Sequence, residues 1–280
     1  MKVVFIGGFA YGKVVYDYLR TNRNISLVCS ITYPDNCGKT ALVPFPDDET
    51  VIKDVSANSY IDKIKKIAPD YIFVSGWSEL LSTELIQSAK KGTIGFHPSK
   101  LPADRGRSVL AWQIEEGYET TALSMFYYND LPDCGDIIAH EKIVIDFEDT
   151  IEDVLAKVAS ASQNLMRAYF PLIRVDKAPR TPQNIQEGNF RRLRNDKDSE
   201  INWNTNSVFI YNKVRAITYP YPGAMTTLNN ERYRVWKCSI TDFPFGENLE
   251  PGTVVATLYD NTLIIRTRNG FVRLTKLERI

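Results

Sequence analysis

The sequence predicts an α/β protein in which a mostly parallel β-sheet is followed by a small β-rich domain. In the first half of the chain, short β-branched runs alternate with segments whose apolar residues recur at helical spacing. After about residue 220, short strands separated by turn residues follow one another without helices between them. The length of 280 residues exceeds that of most single compact cores, which favours two domains.

The elements of the first half follow in a regular, Rossmann-like order. We predict strands at KVVFIGGF, ISLVCSIT, YIFVSGW and TIGFH, and helices at YGKVVYDYLRT, YIDKIKKIAPD and STELIQSAKKG. The third helix is expected to end at Gly92, because glycine commonly closes helices. The strand TIGFH then places His97 at its carboxyl end, where parallel sheets bind ligands.

The regular alternation ends after a helix predicted at SVLAWQIEEGYE. Two strands, TALSMFYYND and GDIIAHEKIVI, and a long helix, TIEDVLAKVASASQNLMRAYFPLIR, complete the first domain. The polar, basic and proline-bearing segment from about Ala178 to Asn202 is typical of a linker. Beyond it we predict a helix at SVFIYNKVRAI and several short strands, which together indicate a small β-barrel-like domain. We therefore predict domains at 1–180 and 206–280, joined by a linker at 181–205.

Charge and composition disfavour several classes of protein. The 34 Lys and Arg residues balance the 34 Asp and Glu residues, so no overall positive field draws the chain onto nucleic acid or an anionic membrane. We predict no metal site, because the two histidines are isolated and no cluster of ligands accompanies them. We also predict no membrane-spanning helix, because the sequence contains no run of about eighteen apolar residues. The widely spaced cysteines indicate no disulfide framework and favour a reducing cytoplasm; they are Cys29, Cys37, Cys134 and Cys238.

The glycines of GGFAYG, from Gly7 to Gly12, suggest either a phosphate-binding turn or a tight turn that needs small residues. Their spacing differs from the dinucleotide pattern G-x-G-x-x-G. An acidic residue that could bind a ribose is also missing from the end of the second strand, because Asp35 comes only after Pro34. The tight turn is therefore favoured, and an NAD(P)-dependent oxidoreductase is kept as an alternative.

His97 and a nearby aspartate are the candidate catalytic pair. His97 ends a predicted strand and precedes a loop rich in proline and arginine. Farther along, DLPDCGDIIAHE brings three aspartates into a turn before a strand, namely Asp130, Asp133 and Asp136. A histidine with a carboxylate partner can act as a general base, so this combination indicates proton transfer in a catalytic site.

The stretch GFHPSKLPADRGRSVLAWQIEEGYETTALSMFYYNDLPDCGDIIAHE resembles the formyltransferases that use N10-formyltetrahydrofolate. Their pattern is Asn-x-His-x-Ser-Leu-Leu-Pro-x-x-Arg-Gly, then a tryptophan-bearing helix, then Asp-x-Gly before a strand. The residues that match are His97, Ser99, Leu101, Pro102, Arg105, Gly106, Trp112, Asp133 and Gly135. The downstream FRRLRNDKDSEINWNTNSVFIYNKVRAITYPYPGAM looks like the junction in two-domain members, such as methionyl-tRNA formyltransferase and the nucleotide-linked amino-sugar N-formyltransferases. The resemblance implies the formyltransferase fold, with His97 as the base and Asp133 as its partner.

One position departs from the family pattern. Gly95 stands where the family has a catalytic asparagine that hydrogen-bonds the developing oxyanion. Removing one such donor typically slows an enzyme on the order of a hundred- to a thousandfold. Three explanations stay open: another donor such as Asn129 or a backbone N–H replaces the amide, a water fills the space, or activity has been lost. The complete remainder of the motif favours an active enzyme.

The resemblance also implies two binding regions. N10-formyltetrahydrofolate is the expected cosubstrate, and the residues expected to bind it are Gly76, Leu80, Leu81 and Asp130. Packing in the core of the next helix is the alternative for the two leucines. The acceptor is expected at a second group, formed by Gly95, Ser99, Arg105 and Arg107.

The second domain and the balanced charge decide which acceptor we predict. Family members that formylate glycinamide ribonucleotide have a single domain, and tRNA needs a basic surface that tracks phosphates. A nucleotide diphosphate needs only one or two cations. We predict an N-formyltransferase for a UDP- or dTDP-linked amino sugar, acting in the synthesis of lipopolysaccharide or another surface glycan; a homodimer is left open. The alternatives are a methionyl-tRNA formyltransferase and a catalytically silent protein that binds folate or a sugar nucleotide.

Overall fold

The first part of the chain contains a seven-stranded mixed sheet. The structure is a computed structural model, and it describes residues 1–260 and 262–280. The strands of the sheet run in the order β3-β2-β1-β4-β5-β7-β8. The elements are, in chain order, β1 (Lys2–Gly7), α1 (Phe9–Thr21), β2 (Ser26–Thr32), β3 (Val51–Lys53), α2 (Ile61–Ile67), β4 (Tyr71–Ser75), α3 (Thr83–Ile86), β5 (Gly92–His97), β6 (Arg105–Gly106), α4 (Val109–Glu115), β7 (Thr120–Tyr127), β8 (Ile137–Val144), α5 (Ile151–Arg174) and β9 (Phe190–Arg191).

The sheet is parallel from β3 to β5 and antiparallel at β7 and β8. Strands β1 and β4 lie side by side at its centre and are almost completely buried, as expected of parallel strands that are covered on both faces. The strand order reverses between these two strands, which is where open α/β sheets form their ligand crevice. The predicted α/β, mostly parallel fold is confirmed.

Two elements differ from the sequence prediction. Helix α3 ends at Ile86, because the N–H groups of Lys90 and Lys91 donate to the carbonyls of Pro69 and Asp70 and not to the preceding turn. Gly92 therefore does not close a helix but begins β5, with a φ of +138°. The short edge strand β3 was not predicted; it pairs with the end of β2 and is only partly buried, so its sequence carries a weak hydrophobic signal.

The segment that the sequence suggested as a linker is partly integrated into the first sheet's loops. Thr181 and Ile137 exchange backbone hydrogen bonds, and β9 pairs in parallel with β6. Residues 155–191 belong to the same compact unit as residues 1–109 and 120–144. The physical reason is that the polar side chains of this segment find partners on the loops around His97, as described below.

A second compact unit comprises residues 110–119, 145–154 and 192–280. Its elements beyond β9 are α6 (Ser207–Ile217), β10 (Ala224–Leu228), β11 (Glu231–Thr241), β12 (Val254–Thr257), β13 (Leu263–Arg266) and β14 (Phe271–Arg279). The five strands form an antiparallel sheet in the order β10-β11-β14-β13-β12, which confirms the β-rich C-terminal part. Within residues 1–260 and 262–280, β10 and β12 do not pair, so the sheet is open and not a closed barrel. Among these residues, no helix has the length and apolar character needed to cross a bilayer.

Candidate active site

His97 is the last residue of β5 and shares one face of the sheet with several residues of β7. The antiparallel register places His97 opposite Ser124 and Gly95 opposite Phe126. Side chains alternate between the two faces of a strand, so the even-numbered positions of β7 that follow Ser124 lie on the same face as His97. The His97 side chain is 9% exposed, so it is mostly buried but still reaches the surface.

Ser124 holds the loop that follows His97. Its hydroxyl donates to the Ser99 carbonyl and accepts a hydrogen bond from the Leu101 N–H at 3.1 Å. The ring of His140, on β8, lies 2.8 Å from the same hydroxyl through Nδ1. Because the single hydroxyl proton goes to Ser99, the His140 nitrogen is the donor in this contact. His140, the chain's second histidine, thus contacts the loop that follows His97 indirectly, through the Ser124 hydroxyl.

Asp104 fixes the orientation of the His97 ring. The Asp104 carbonyl lies 2.9 Å from His97 Nε2, and a carbonyl only accepts, so Nε2 carries a proton. Asp104 is 2% exposed and has a φ of +51°, an uncommon backbone conformation for a residue other than glycine. Its carboxylate is held by Asn189 Nδ2 at 2.7 Å and by Arg191 Nε at 2.6 Å. These contacts form a clamp of Asp104, Asn189 and Arg191 that the sequence analysis missed.

We expect Arg191→Ala to lower the free energy of unfolding by about 3 kcal/mol, because a buried carboxylate then loses its charged partner. Urea denaturation followed by circular dichroism measures this change. Arg192→Ala is the matched control: the neighbouring arginine is 58% exposed and pairs with Asp198, so a much smaller decrease is expected. Equal losses in the two variants would contradict a buried role for the Arg191–Asp104 pair.

Asp133 lies on the loop between β7 and β8, in a backbone conformation that its neighbours enforce. Its φ is +57°, and the Gln183 side chain donates to the carbonyls of Asp133 and Gly135 at 3.0 and 2.7 Å. A Cβ atom at Gly135 would lie 1.7 Å from the Tyr127 carbonyl oxygen, so no other residue fits there. The Asp-x-Gly pattern thus has a steric cause, and Gln183 belongs to the segment predicted as a linker.

The Asp133 carboxylate faces His97. One oxygen, Oδ1, lies 3.5 Å from His97 Nδ1, and the other accepts the Gly106 N–H at 2.9 Å. Because the Asp104 carbonyl occupies Nε2, the nitrogen that can accept a proton is Nδ1, on the side of Asp133. A protonated ring then donates from both nitrogens, and its positive charge lies beside the carboxylate. The structure brings together the predicted pair, and it places the carboxylate beside the nitrogen that would take up the proton.

The space beside Gly95 is filled by an aromatic ring. A Cβ atom built on Gly95 would lie 2.1 Å from Cε2 of Tyr128 and 3.1 Å from Cε1 of Phe126. The two rings stack with centroids 5.2 Å apart and planes at 15°. Asn129, which the sequence offered as a substitute donor, is exposed, and its side-chain oxygen accepts the Leu131 N–H within its own turn. The structure therefore places the Tyr128 ring, and not the Asn129 side chain, where a side chain at position 95 would lie.

The loop after β4, residues 76–82, is the predicted folate-binding region. Gly76 has a φ of +70°, and Trp77 stacks on Tyr33 at 4.2 Å and 9°. Glu79 is bound by the Ser56 hydroxyl and the Ala57 N–H, each at 2.7 Å. Burial raises the pKa of the Glu79 carboxyl, but these hydrogen bonds outweigh it and hold the pKa below its usual value. The loop is thus fastened by a charged group.

The two leucines of this loop precede α3 and do not belong to it. Leu80 is 73% exposed, whereas Leu81 packs against the hydrophobic core. A ligand that lies on the loop could cover Leu80, so binding by Gly76 and Leu80 stays a prediction that this geometry suits. Asp130 is exposed on the loop between β7 and β8, and its binding role also stays a prediction.

The residues predicted to bind the acceptor differ in whether their side chains already have hydrogen-bond partners within the protein. Arg105 donates to Cys134 Sγ at 3.0 Å and to the Ile185 carbonyl at 2.9 Å, so it fastens the loops to each other. The hydroxyl of Ser99, a residue with no exposed surface, donates to the Ala103 carbonyl at 2.7 Å, which closes the loop. Arg107 is exposed, and its backbone N–H donates to the Arg191 carbonyl of β9 at 2.9 Å. Within the part of the chain that the structure describes, its side chain has no hydrogen bond or ion pair. Contact with the acceptor stays a prediction for all three, and Arg107 is the best placed.

The N-terminal glycines allow close packing of the backbone. A Cβ atom at Gly7 would lie 2.1 Å from the Ser75 carbonyl oxygen, and one at Gly12 would lie 2.4 Å from it. Glycine is therefore needed both at the end of β1, where Gly7 pairs with Ser75 of β4, and in α1, where Gly12 packs on the same carbonyl. Close packing is thus a sufficient reason for these two glycines, and a phosphate-binding role stays a prediction.

Models of a known family cover most of the chain. Residues 1–169 match the family described as formyl transferase, and residues 194–280 match the formyl transferase C-terminal domain. The chain belongs to the formyl transferase family. This assignment confirms the resemblance seen in the sequence around His97 and Asp133.

Several solved structures of this fold are similar to the chain at low sequence identity. HypX from Aquifex aeolicus, in complex with tetrahydrofolic acid, is 18% identical with a TM-score of 0.73, over 100% of this chain and 44% of that one. The present chain therefore spans less than half the length of HypX. Methionyl-tRNA formyltransferase from Clostridium thermocellum is 19% identical with a TM-score of 0.68, over 100% of this chain and 99% of that one. WlaRD, a sugar 3N-formyl transferase crystallised with dTDP and 5-N-formyl-THF, is 16% identical with a TM-score of 0.68, over 100% and 98%.

Proposed function

We propose that this formyl transferase family member moves a formyl group from N10-formyltetrahydrofolate to the amine of a nucleotide-activated amino sugar. The observation that carries the proposal is the His97–Asp133 pair, in which Nδ1 lies 3.5 Å from the carboxylate and Nε2 is held by the Asp104 carbonyl. Such a pair can accept a proton from an attacking amine and neutralise the resulting charge. The folate supplies the formyl group as an acyl donor.

The folate fits the loop at residues 76–82. Its pterin is a flat, hydrogen-bonding ring, and the loop offers an exposed apolar side chain, Leu80, four residues after Gly76, whose φ is +70°. The bond between Glu79 and Ser56 stiffens the loop in advance, so less conformational entropy is lost on binding. The chain's own task in the transfer is then to orient the acceptor amine and to take its proton at His97 Nδ1.

The charge distribution supports a nucleotide sugar over tRNA as the acceptor. In residues 110–119, 145–154 and 192–280, acidic residues outnumber basic ones. The basic cluster of this unit is also neutralised: Arg192 pairs with Asp198 at 2.6 Å, and Arg194 and Lys213 pair with Glu115 at 2.6 and 2.9 Å. Hydrogen bonding by Arg192 holds the pKa of Asp198 well below its usual value, so this pair keeps its charge. A polyanion needs unpaired cations along its path.

An acceptor screen tests the proposal. The purified protein is incubated with N10-formyltetrahydrofolate and a panel of UDP- and dTDP-linked amino sugars, and products are read by the mass of one added formyl group. Initiator methionyl-tRNA and an N-acetylated sugar nucleotide, whose nitrogen cannot attack, serve as comparisons. Formylation of a free-amine sugar nucleotide supports the proposal. Transfer to methionyl-tRNA alone would replace it with the tRNA function, and transfer to neither would remove the acceptor assignment.

We expect Arg107→Ala to raise the KM for the acceptor about tenfold or more, because a charge-assisted hydrogen bond to phosphate contributes roughly 1.5–3 kcal/mol. The effect on kcat should be small, since the phosphates lie away from the reacting amine and are bound equally in the ground and transition states. Steady-state kinetics with the acceptor from the screen measure both constants. Arg174→Ala removes an exposed arginine at the end of α5 and serves as the control. An unchanged KM in Arg107→Ala would give that residue a structural role only.

The same proposal includes the cellular compartment of the reaction and the use of its product. None of the four cysteines forms a disulfide bond, as suits a reducing cytoplasm. We propose that the product enters the synthesis of a surface glycan.

A further inference from the structure

We propose that the Tyr128 hydroxyl donates the hydrogen bond that stabilises the negative charge on the formyl oxygen during transfer. This inference rests on the proposed formyl transfer. Attack on a formyl carbon places charge on its oxygen, and a fixed donor at that point is among the largest single contributions to acyl transfer. Gly95 has no side chain to supply it, and the place that such a side chain would take is filled by the Tyr128 ring.

The Tyr128 ring occupies the place that a side chain at position 95 would take. In the β5–β7 register Gly95 lies opposite Phe126, and the Tyr128 N–H bonds to the Thr93 carbonyl at 2.8 Å. Tyr128 therefore extends β7 by one position and leans across Gly95, with Cε2 only 2.1 Å from the position of a Cβ atom there. The hydroxyl is two bonds beyond Cε2. It lies on the face of the sheet that carries His97.

The ring is held, and its hydroxyl is available. Stacking on Phe126 fixes the plane of the ring, which limits the entropy lost when a ligand is bound. Within residues 1–260 and 262–280 the Tyr128 hydroxyl has no hydrogen-bond partner, although the side chain is partly buried. Burial, and next the charge of Asp133, raise the pKa of this phenol. It therefore keeps its proton at neutral pH and can only gain by donating it to an acceptor.

The other donors considered near His97 are engaged or have no contact with the place beside Gly95. The Gly106 N–H donates to Asp133 Oδ2. The terminal nitrogens of Arg105 donate to Cys134 and to the Ile185 carbonyl, and its Nε is buried without a partner among the described residues. Asn129 is exposed, and the bond that its side-chain oxygen accepts from the Leu131 N–H holds the amide in its own turn. Tyr128 is the side chain with a donor whose ring contacts the Cβ position of Gly95 directly.

The transfer balances without any further reactant. The acceptor nitrogen forms a bond to the formyl carbon, the bond from that carbon to N10 breaks, the amine proton passes to His97 Nδ1, and N10 takes up a proton. With water as the acceptor, the same change gives formate and tetrahydrofolate. The hydrogen bond from Tyr128 is needed in both cases, because the charge develops on the same oxygen.

Tyr128→Phe tests the role of the hydroxyl, since it keeps the ring that fills the space. We expect kcat to fall on the order of a hundredfold, for the amino-sugar acceptor and for the slow transfer to water alike, while the folate affinity stays unchanged. Tyr127→Phe is the matched control, because it removes the hydroxyl of the preceding residue, whose ring faces the other way under Arg180. Normal kcat in Tyr128→Phe would overturn the inference.

A second measurement works without turnover. A stable N10-formyl folate analogue labelled with carbon-13 at the formyl group is bound to both proteins, and the carbonyl stretching frequency is read by infrared difference spectroscopy. A donor on the oxygen lowers this frequency, so we expect a higher frequency in Tyr128→Phe than in the unaltered protein. Equal frequencies would overturn the inference. If the unaltered protein forms no product, the proposed function fails, and the frequency still decides the role of Tyr128.

Substitutions at Gly95 and Tyr128, made singly and together, test whether the Tyr128 ring fills the place beside Gly95. Gly95→Asn alone should lower the thermal midpoint strongly and reduce kcat, because the new side chain meets the Tyr128 ring. In a Tyr128→Ala background the same substitution should cost little stability, and kcat should rise above that of either single variant, since an amide then reaches the vacated space. An equal fall in thermal midpoint in both backgrounds would overturn the placement, whether or not any ligand binds.

Discussion

His97→Ala is expected to reduce kcat on the order of a hundred- to ten-thousandfold, the usual contribution of a positioned general base. The ring lies at the end of β5, where Nε2 is fixed by the Asp104 carbonyl and Nδ1 faces Asp133. Removing it leaves the amine without a proton acceptor at the reacting position. Turnover with the acceptor found in the screen measures the loss, and the affinity for the folate checks that the site is otherwise intact.

His140→Gln serves as the comparison for His97→Ala. His140 is the chain's other histidine, and it contacts the Ser124 hydroxyl from β8, behind the loop that follows His97. Its loss should disturb the loop and reduce turnover far less than loss of His97. Near-normal turnover in purified, folded His97→Ala protein would show that another group accepts the proton.

Asp133→Asn is expected to give the second large loss, on the order of a hundredfold or more in kcat. The amide keeps the size of the side chain and an oxygen that can accept the Gly106 N–H, which the carboxylate accepts at 2.9 Å. It cannot neutralise the positive charge that His97 gains beside it. The loss should therefore appear in kcat while the folate affinity is retained, because the missing interaction is strongest in the transition state.

Asp136→Asn is the matched control for this carboxylate. It lies three residues farther along the same loop, is half exposed, and has a distant partner in Arg180 at 3.9 Å. We expect near-normal turnover from it. A large loss in Asp136→Asn together with little change in Asp133→Asn would exchange the roles of the two residues.

The candidate base and its partner could be predicted because local sequence signals point to them. His97 ends an apolar run that reads as a strand, and Asp133 precedes a glycine in a loop before the next strand. The structure brings the two side chains together, with 3.5 Å between Nδ1 and Oδ1. It also gives Gly135 a steric reason, since the Tyr127 carbonyl leaves no room for a Cβ atom there.

The role of residues 181–191 could not be predicted, because their composition is that of a linker. Gln183 fastens the backbone of the Asp133 loop, and Asn189 and Arg191 hold the Asp104 carboxylate. These bonds join residues that are 48 to 87 positions apart in sequence, and no periodic pattern marks them. Polar side chains of this kind look identical in sequence whether they bind water or a buried partner.

The sequence by itself determined the alternating α/β pattern, the β-rich end and the family, and it pointed to His97 and Asp133 as the candidate pair, since each depends on spacing within a short stretch of chain. Only the tertiary structure decided which group lies beside Gly95. The pairing of β5 with β7 brings Tyr128 onto a glycine more than thirty positions before it in the printed sequence, and stacking on Phe126 turns its ring over the empty place. Strand register is set by which faces pack together in the folded sheet, so a residue's cross-strand neighbour is not encoded in its own neighbourhood.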